Sequence, residues 1–589
     1  MKIFKNKKAI FVDYFDTLVK TTASHIVINK QVCKVIMAKY PFLKNRYTIE
    51  QFQSLRDKAR WQSRKFYDDA PYRVLVSNLY DYIEGSKYNV KYEDFYSTCY
   101  NAYVSVIIGC QYRNSIVYES LRKNKEYGIK IYLVSDFYLP VDAYELFLKS
   151  LKCRDLFDGI YISSSCNKSK FRGTIYKFIL GELGLNATEV VMIGDNSVSD
   201  VKNARNNGIQ AYHYLPFLYK VRQKVETRWL NISPLNYIKK KICILNRDTP
   251  FVAYSIAFYY FVKELYSHAK NDEVDKLCFL SRDGKFLKTL FDAFQGITIN
   301  DNNKLRTCYC INSRQANKIA ETENEEDILK EYMRCFIGEG GILAVVDNGW
   351  KCTSQISLAK ILECKTIGYY IGVNSKKNSD DESCIRNGLL FDIDVNGEGG
   401  ESPYYYLLEA RCKLIYEQLL TTDQGTLKKY CRNTDGRVVF DFVEEPSNVY
   451  VYQKYAKDIQ EHILLMVKGI SAWLIDCNLS IKELSSIIVN LLSCQSIEDT
   501  VITSDVLNNR YEYYDDVNNV CEYSKDSLHV SASKKVIKDV LIEFLKHPAK
   551  HIHVVVGARR LLHKKRLVFW MFKLFEKLYY GYVKLYYNL

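Results

Sequence analysis

Proline and methionine are scarce in this chain, nine and six among 589 residues. Tyrosine is abundant at 49; together with many Lys, Ile and Asn this follows a genome composition bias and carries no functional meaning. No uncharged apolar stretch reaches the roughly 18 residues that a bilayer-spanning helix needs. The best candidate, residues 251–262, is too short and reads as a buried helix. No export signal is expected either: the apolar run Ala9-Ile10-Phe11-Val12 is short and meets Asp13 at once. The 18 cysteines form one Cys-x-Cys (Cys308, Cys310) and no Cys-x-x-Cys pair, so zinc-site spacing is absent. Reduced, mostly structural thiols and a cytoplasmic location are expected. Nothing resembles a base-reading module, so no nucleic-acid partner is expected.

What is present is a globular composition, 48% hydrophobic and 26% charged, which excludes a mostly disordered or fibrous chain. At roughly 100–200 residues per domain, the length suggests about three to five domains. The net charge of +15 is uneven. Residues 546–589 hold ten basic residues and one acidic residue, Glu576, a local +9 that leaves +6 for the first 545 residues. In this tail Lys573, Lys577 and Lys584 share a helical face, and Phe569, Phe572, Phe575, Leu578, Tyr579 and Tyr582 fill much of the remainder. A basic, aromatic amphipathic helix can lie in a membrane interface. Peripheral contact with the inner membrane face through residues 560–589 is therefore expected, against the competing reading of a C-terminal helix packed on its own protein.

Apolar runs at 129–134, 159–162, 190–193 and 210–214 alternate with helical stretches, the pattern of a parallel sheet. A second alternating region covers 250–430, with strands expected at 276–280, 307–311, 342–346 and 366–372. Residues 216–248 read as a basic linker and 375–403 as a long polar loop; 445–510 read as helical, 509–527 as loop and 534–589 as helices.

Three strand ends in the first region carry acids. Asp13 follows the run 9–12 in Asp13-Tyr-Phe-Asp-Thr-Leu18; Ser135-Asp136 follows 129–134; Gly194-Asp195 follows 190–193, with Asp200 five residues on; and Lys170 precedes Gly173 and a helical stretch, with Lys168 as a rival. Ligands gather at the carboxyl ends of strands in such sheets. In this order the residues resemble the haloacid dehalogenase-like hydrolase superfamily over roughly residues 7–216. The interval of about 110 residues after Asp13 then corresponds to an inserted helical cap. The resemblance implies Asp13 as nucleophile and metal ligand, Asp195 as second ligand, Asp200 holding a metal-bound water or orienting Asp195, and the Phe15 carbonyl completing the protein's share of a Mg²⁺ shell. It implies that Ser135 donates to a transferred phosphate and that Lys170 balances the carboxylates. Phosphatases of the superfamily carry an acid two residues after the nucleophile, where this chain has Phe15; halide-releasing members have an aromatic there. Three readings follow: Asp16 or a cap residue supplies the proton, the leaving group needs none, or the domain binds phosphate and turns over poorly. Retention of Asp195 and Asp200 favours Mg²⁺ chemistry over dehalogenation.

The wording Asp13–Leu18 together with Ser135-Asp-Phe-Tyr-Leu139 looks like long predicted hydrolases found among bacterial surface-polysaccharide glycosyltransferases. That resemblance implies a phosphorylated sugar, polyol or glycan as substrate. Arg56 and Arg60, spaced i, i+4 in the cap, are read as a grip for an anionic substrate, with a solvated basic face as the alternative.

In the second region, Ser281-Arg282-Asp283-Gly284, Asn312-Ser-Arg314 and Asp347-Asn-Gly-Trp-Lys-Cys-Thr353 stand at strand ends before helical stretches. Helix starts and arginines suit anions, which marks Ser281, Arg282, Asp283, Arg314, Asp347 and Thr353 as a candidate anion site. The segment loosely resembles the sugar-phosphate loop of phosphoribosyltransferases. The expected fold is α/β: a haloacid dehalogenase-like domain over 1–220 with a helical cap at 20–120, a second Rossmann-like domain over 250–430, a helical region over 431–545 and the basic tail over 546–589. The expected activity is a Mg²⁺-dependent phosphatase. The alternatives are a glycosyl- or phosphoribosyl-type transferase centred on the second domain and a non-catalytic phosphate-binding scaffold at the membrane.

Overall fold

The computed structural model describes residues 4–493 apart from 5, 64–66, 215–232, 246–250, 324, 376–382, 394–401, 403, 406–407, 409–411, 445–448 and 451, and beyond them 555 and 566–588. The expected loop at 509–527, and the tail before residue 566 apart from 555, lie outside the described residues. The described chain divides into two compact units, one comprising 1–244 with 295–302 and 468–477, the other comprising 245–294, 303–467 and 478–589.

In the first unit, Ala9-Ile-Phe-Val12 is apolar at every position and wholly buried, as a strand covered on both faces must be. It forms β1 (Ala9–Val12) at the centre of the main sheet. The chain then makes β2 (Val19–Thr21), five cap α-helices with one short 3-10 turn, and β3 (Gln111–Arg113), and continues through β4 (Lys130–Ser135), β5 (Gly159–Ile162), β6 (Val190–Gly194) and β7 (Gln210–His213). Strand order is β5-β4-β1-β6-β7, all parallel. Phe11, Met192 and Ala211 from the sheet pack with Ile175, Tyr176 and Ile179 of the helix Thr174–Leu183. β2 and β3 pair antiparallel, Val19 opposite Arg113, as a two-strand neck at the base of the cap helices. The sequence pattern did not mark these three-residue strands, because pairing across the inserted helices leaves no local trace.

Part of the expected linker at 216–248 is instead the helix Pro234–Leu245. Its Ile238, Lys241, Ile242 and Leu245 are buried, a helical i, i+3, i+4, i+7 stripe. Three consecutive lysines, Lys239 to Lys241, hid that stripe. The Lys241 ammonium donates to the carbonyls of Ile108 and Gln111 and so answers the carbonyls at the end of the helix Tyr92–Cys110.

In the second unit, β8 (Lys276–Leu280), β9 (Arg306–Cys310), β10 (Leu343–Asp347), β11 (Thr366–Asn374) and β12 (Cys384–Ile393) form a parallel sheet of order β12-β11-β10-β8-β9. β12 corrects the expected loop at 375–403. Arg386-Asn-Gly388 interrupts its apolar pattern, but Leu389, Leu390 and Phe391 are buried, and its pairing to β11 gives the edge its register. A hairpin of β13 (Leu427–Arg432) and β14 (Val438–Phe442) corrects the start of the expected helical region at 431–545. Its turn is held by the Asn433 side chain, which accepts from the amides of Asp435 and Arg437, and by Gly436 at φ +76°. The expected buried helix near 251–262 is the helix Ser255–Asn271, buried from Ser255 through Val262. No helix among the described residues is long and apolar enough to cross a membrane.

Candidate active site

A strand pair whose onward connections leave in opposite directions opens a crevice at its carboxyl end. In the first sheet β1 leads to β4 on one side, and β6 leads to β7 on the other. Asp13 follows β1 directly and Asp195 follows β6 directly.

The Asp13 carboxylate is buried and its Oδ1 accepts from Lys170 Nζ at 2.5 Å. The same ammonium lies 2.7 Å from Asp200 Oδ1. Carboxylate oxygens of Asp13, Asp195 and Asp200 all fall within 4.8 Å of one another. Burial pushes the Asp13 carboxyl up, Lys170 opposes this, and Asp200 and Asp195 add to the rise. Burial alone would lower the Lys170 ammonium, but Asp13 and Asp200 outweigh it and hold its affinity for the proton well above the ordinary value. Three carboxylates against one ammonium leave two negative charges unbalanced, and every ligand offered is an oxygen. That donor set fits a hard divalent cation such as Mg²⁺, which Asp13, Asp195 and Asp200 could hold.

The geometry is built locally. A Cβ on Gly194 would stand 2.3 Å from Asp200 Cγ, so only glycine lets the Asp200 carboxylate lie against the strand end. Asp200 Oδ2 accepts from the Asn196 amide at 3.0 Å. Lys170, and not the exposed Lys168, enters the site. Its position is set by Asp136, whose two carboxylate oxygens accept from the backbone amides of Lys170 at 2.7 Å and Phe171 at 2.9 Å. Asp136 stood beside Ser135 in the sequence without an assigned role; its partners are main-chain groups far along the chain, which no motif records. Thr17 Oγ1, 3.4 Å from Asp13 Oδ2, was also missed. Ser135 is buried with its hydroxyl 3.2 Å from Tyr144 OH. Asp16 takes φ +61°, the left-handed conformation that suits glycine, and no hydrogen bond or ion pair engages its carboxylate among the described residues. Phe15 packs on Phe137 at 5.0 Å and edge-on to His25 at 6.1 Å.

The cap arginines are not a solvated face. Arg56 is buried and Arg60 half-buried, and their guanidinium carbons stand 5.7 Å and 4.8 Å from the ring centres of Tyr103 and Tyr138.

In the second sheet the opposite connections leave β8 and β10, and the candidate anion residues stand there. Asp347 ends β10, and Arg282 and Asp283 lie just beyond β8. Burial pushes the Asp347 carboxyl up, followed by Asp283, while the Asn348 amide and then Arg314 oppose it and Glu417 adds to the rise. Trp350 Nε1 donates to Glu417 at 2.8 Å. Gly349, at φ +122°, would put a Cβ 2.1 Å from the Gly372 carbonyl oxygen. The Ser281 hydroxyl is engaged between the Asn312 carbonyl at 2.7 Å and the Asn312 amide at 2.9 Å, so it ties the β8 and β9 loops together instead of facing an anion. Arg314 and Thr353 are exposed at the first positions of the helices Arg314–Thr322 and Thr353–Leu362.

Several solved structures resemble the chain. An uncharacterized protein from Listeria monocytogenes serotype 4b is 30% identical over 17% of this chain and 60% of its own, with a TM-score of 0.17; the chain thus spans less than two thirds of that protein. L-2-haloacid dehalogenase from Xanthobacter autotrophicus is 17% identical over 40% of this chain and 88% of its own, TM-score 0.25. A predicted phosphoglycolate phosphatase from Haemophilus somnus 129pt is 16% identical over 35% and 85%, TM-score 0.24. No curated protein matches. The family model of the haloacid dehalogenase-like hydrolases matches residues 7–208.

Proposed function

We propose that this haloacid dehalogenase-like hydrolase domain, residues 7–208, is a Mg²⁺-dependent phosphatase acting on a phosphorylated sugar or polyol of surface-polysaccharide synthesis. The observation that carries the reading is Lys170 Nζ bridging Asp13 and Asp200 beside Asp195. A phosphate monoester repels an anionic nucleophile; bound Mg²⁺ supplies the positive charge that offsets this repulsion. Lys170 holds Asp13 Oδ1 by hydrogen bond, and Oδ2, with only the long Thr17 contact, attacks phosphorus. A bond forms from that oxygen to phosphorus, the ester P–O bond breaks, and the departing alkoxide takes a proton. Ser135 donates to a phosphoryl oxygen. Water then cleaves the aspartyl-phosphate. With Phe15 at the usual acid position, Asp16 is the acid of this reading: its carboxylate is unengaged and three residues from the nucleophile. Loss of general-acid help typically costs about 10²–10⁴-fold, so Asp16→Asn should slow turnover by that order on substrates with poor leaving groups. The experiment is phosphate release from a panel of phosphorylated sugars with and without Mg²⁺. Activity that requires Mg²⁺ and is lost in Asp13→Asn supports the reading; activity unchanged in that variant overturns it.

The polysaccharide context rests on the wording of the Asp13 and Ser135 loops. Membrane contact belongs to the same reading: the helix Arg566–Tyr586 exposes Leu574, Phe575, Leu578 and Leu585 beside Lys577, a face suited to an anionic lipid surface. A second reading, a transferase in the second sheet, is favoured by Asp283 and Asp347 at the crossover of β8 and β10. It predicts consumption of an activated sugar that survives Asp13→Asn and is lost in Asp347→Ala.

A further inference from the structure

The cap helix Ile49–Ser63 carries two arginines that no carboxylate neutralises among the described residues. Arg56 is 7% exposed. Its Nη1 donates, at 3.4 Å each, to the Asn29 carbonyl and Cys33 Sγ, both long contacts to uncharged groups. Arg60, one turn further on, keeps a buried Nε with no hydrogen-bond partner. Neither forms an ion pair among the described residues. Their neighbours in the cap behave differently: Arg46 pairs with Glu84 at 3.2 Å and Arg73 with Glu93 at 2.8 Å. Asp57, next to Arg56 in sequence, is exposed.

A guanidinium does not shed its proton in proteins, and a buried charge without a counter-charge is costly. The rings of Tyr103 and Tyr138 offset part of this through their negative faces. No described cap residue supplies the counter-charge, and the ring contacts show what the arginines border. Tyr138, under Arg60, stacks on Phe137 at 4.4 Å; Phe137 meets Phe15 at 5.0 Å; Phe15 lies two residues from Asp13. This wall of rings runs from the nucleophile loop to the arginine pair, past the loop that carries Ser135.

We propose that Arg60, backed by Arg56, binds a second anionic group of the substrate. The substrate class is then a phosphorylated sugar or polyol that bears a further phosphate or carboxylate away from the phosphate at Asp13. The inference rests on the phosphatase reading for the orientation of the substrate, while its binding half stands apart from turnover. Apolar ring faces suit the sugar carbons between the two charges, and the unneutralised guanidiniums discriminate against a substrate charged at one end only.

The test is calorimetric titration of the full-length Asp13→Asn chain with Mg²⁺ and three probes: glucose 1,6-bisphosphate, 6-phosphogluconate and glucose 6-phosphate. The expected result is binding of the first two about tenfold or more tightly than the third, as one charge-assisted contact warrants. Arg60→Met should remove that advantage and leave glucose 6-phosphate within about twofold; Arg60→Lys should restore part of it. Preference for the bisphosphate alone supports the site and assigns the second group as phosphate. Equal affinities, no binding of any probe, or a preference that survives Arg60→Met overturns the inference. Arg56→Met is a weaker variant because the site is buried, so Arg60 carries the test. Phosphate release by the unmodified chain, measured in parallel, separates the two claims: intact preference without turnover leaves the anion site standing and removes the phosphatase reading.

Discussion

In the first sheet the chain leaves β1 and β6 in opposite directions, and Asp13 and Asp195 stand at those ends; in the second it leaves β8 and β10 in opposite directions, and Asp283 and Asp347 stand there. Each crevice has a glycine that no larger residue can replace, Gly194 against Asp200 and Gly349 against the Gly372 carbonyl. Burial pushes the central carboxyl up in both. The difference is the cation. Lys170 stands 2.5 Å from Asp13, whereas the Asn348 amide is the partner of Asp347 and Arg314, the opposing charge, is exposed. Topology thus supplies a crevice twice, and one buried lysine separates a carboxylate paired with an ammonium, Asp13, from one whose hydrogen-bond partner is a backbone amide, Asp347. Strands β1 to β6 of the first unit, and none of the second sheet, lie within the residues matched by the hydrolase family.

The largest test of that contrast compares the two acids. Asp13→Asn should lower Mg²⁺-dependent phosphate release about 10³-fold or more, and Asp347→Asn should leave it within about twofold; comparable losses would erase the distinction. Next comes the lysine. Lys170→Met should lower kcat about 10²-fold. The ammonium opposes the burial-driven rise of the Asp13 carboxyl; without it Asp13 holds its proton still more tightly in the folded state, so the melting temperature of this variant should fall further below that of the unmodified chain at pH 8 than at pH 5. An equal drop at both pH values would mean Lys170 acts by packing alone.

A smaller effect is expected at Asp347. Its folded affinity for the proton is raised, so its contribution to stability is present at low pH and lost as pH rises through the folded value. Asp347→Asn should therefore raise the melting temperature by about 2–4 °C at pH 8 and leave it unchanged near pH 4. The smallest concerns Lys241, where burial pushes the ammonium down to about 7. Between that value and the unfolded value near 10.4 the unfolded chain binds the extra proton, so stability rises with pH. The unmodified chain should gain melting temperature over Lys241→Met as pH rises from 7 to 9; a gap that stays constant would show the ammonium fully compensated by its two carbonyl partners.

Much of the first sheet was legible because its strands are short apolar runs ending in Asp or Ser, and because Asp13, Ser135, Lys170 and Asp195 occur in a recognisable order. The same reading failed where tertiary pairing overrides composition. β12 hides among Asn, Asp and Gly, and Lys241 hides a buried helical stripe. The hairpin β13–β14 did leave a signal, the turn Asn433-Thr-Asp-Gly436 before the alternating run Val438–Phe442, that was overshadowed by the expectation of helices. Asp136 left none, since it acts through backbone amides. Arg56 and Arg60 were legible as a pair on one face; that Arg56 is buried and Arg60 half-buried, with no counter-charge among the described residues, is visible only once Tyr103 and Tyr138 are in place.

The claim that Asp13 is a phosphoryl-accepting nucleophile is tested most directly by trapping. The full chain is incubated with Mg²⁺ and a phosphorylated sugar that it turns over, quenched with borohydride, and digested for mass spectrometry. Borohydride reduces an aspartyl-phosphate to homoserine, so the account predicts homoserine at position 13 and an unmodified Asp347. Turnover with Asp13 intact, or homoserine at any other aspartate, would contradict it.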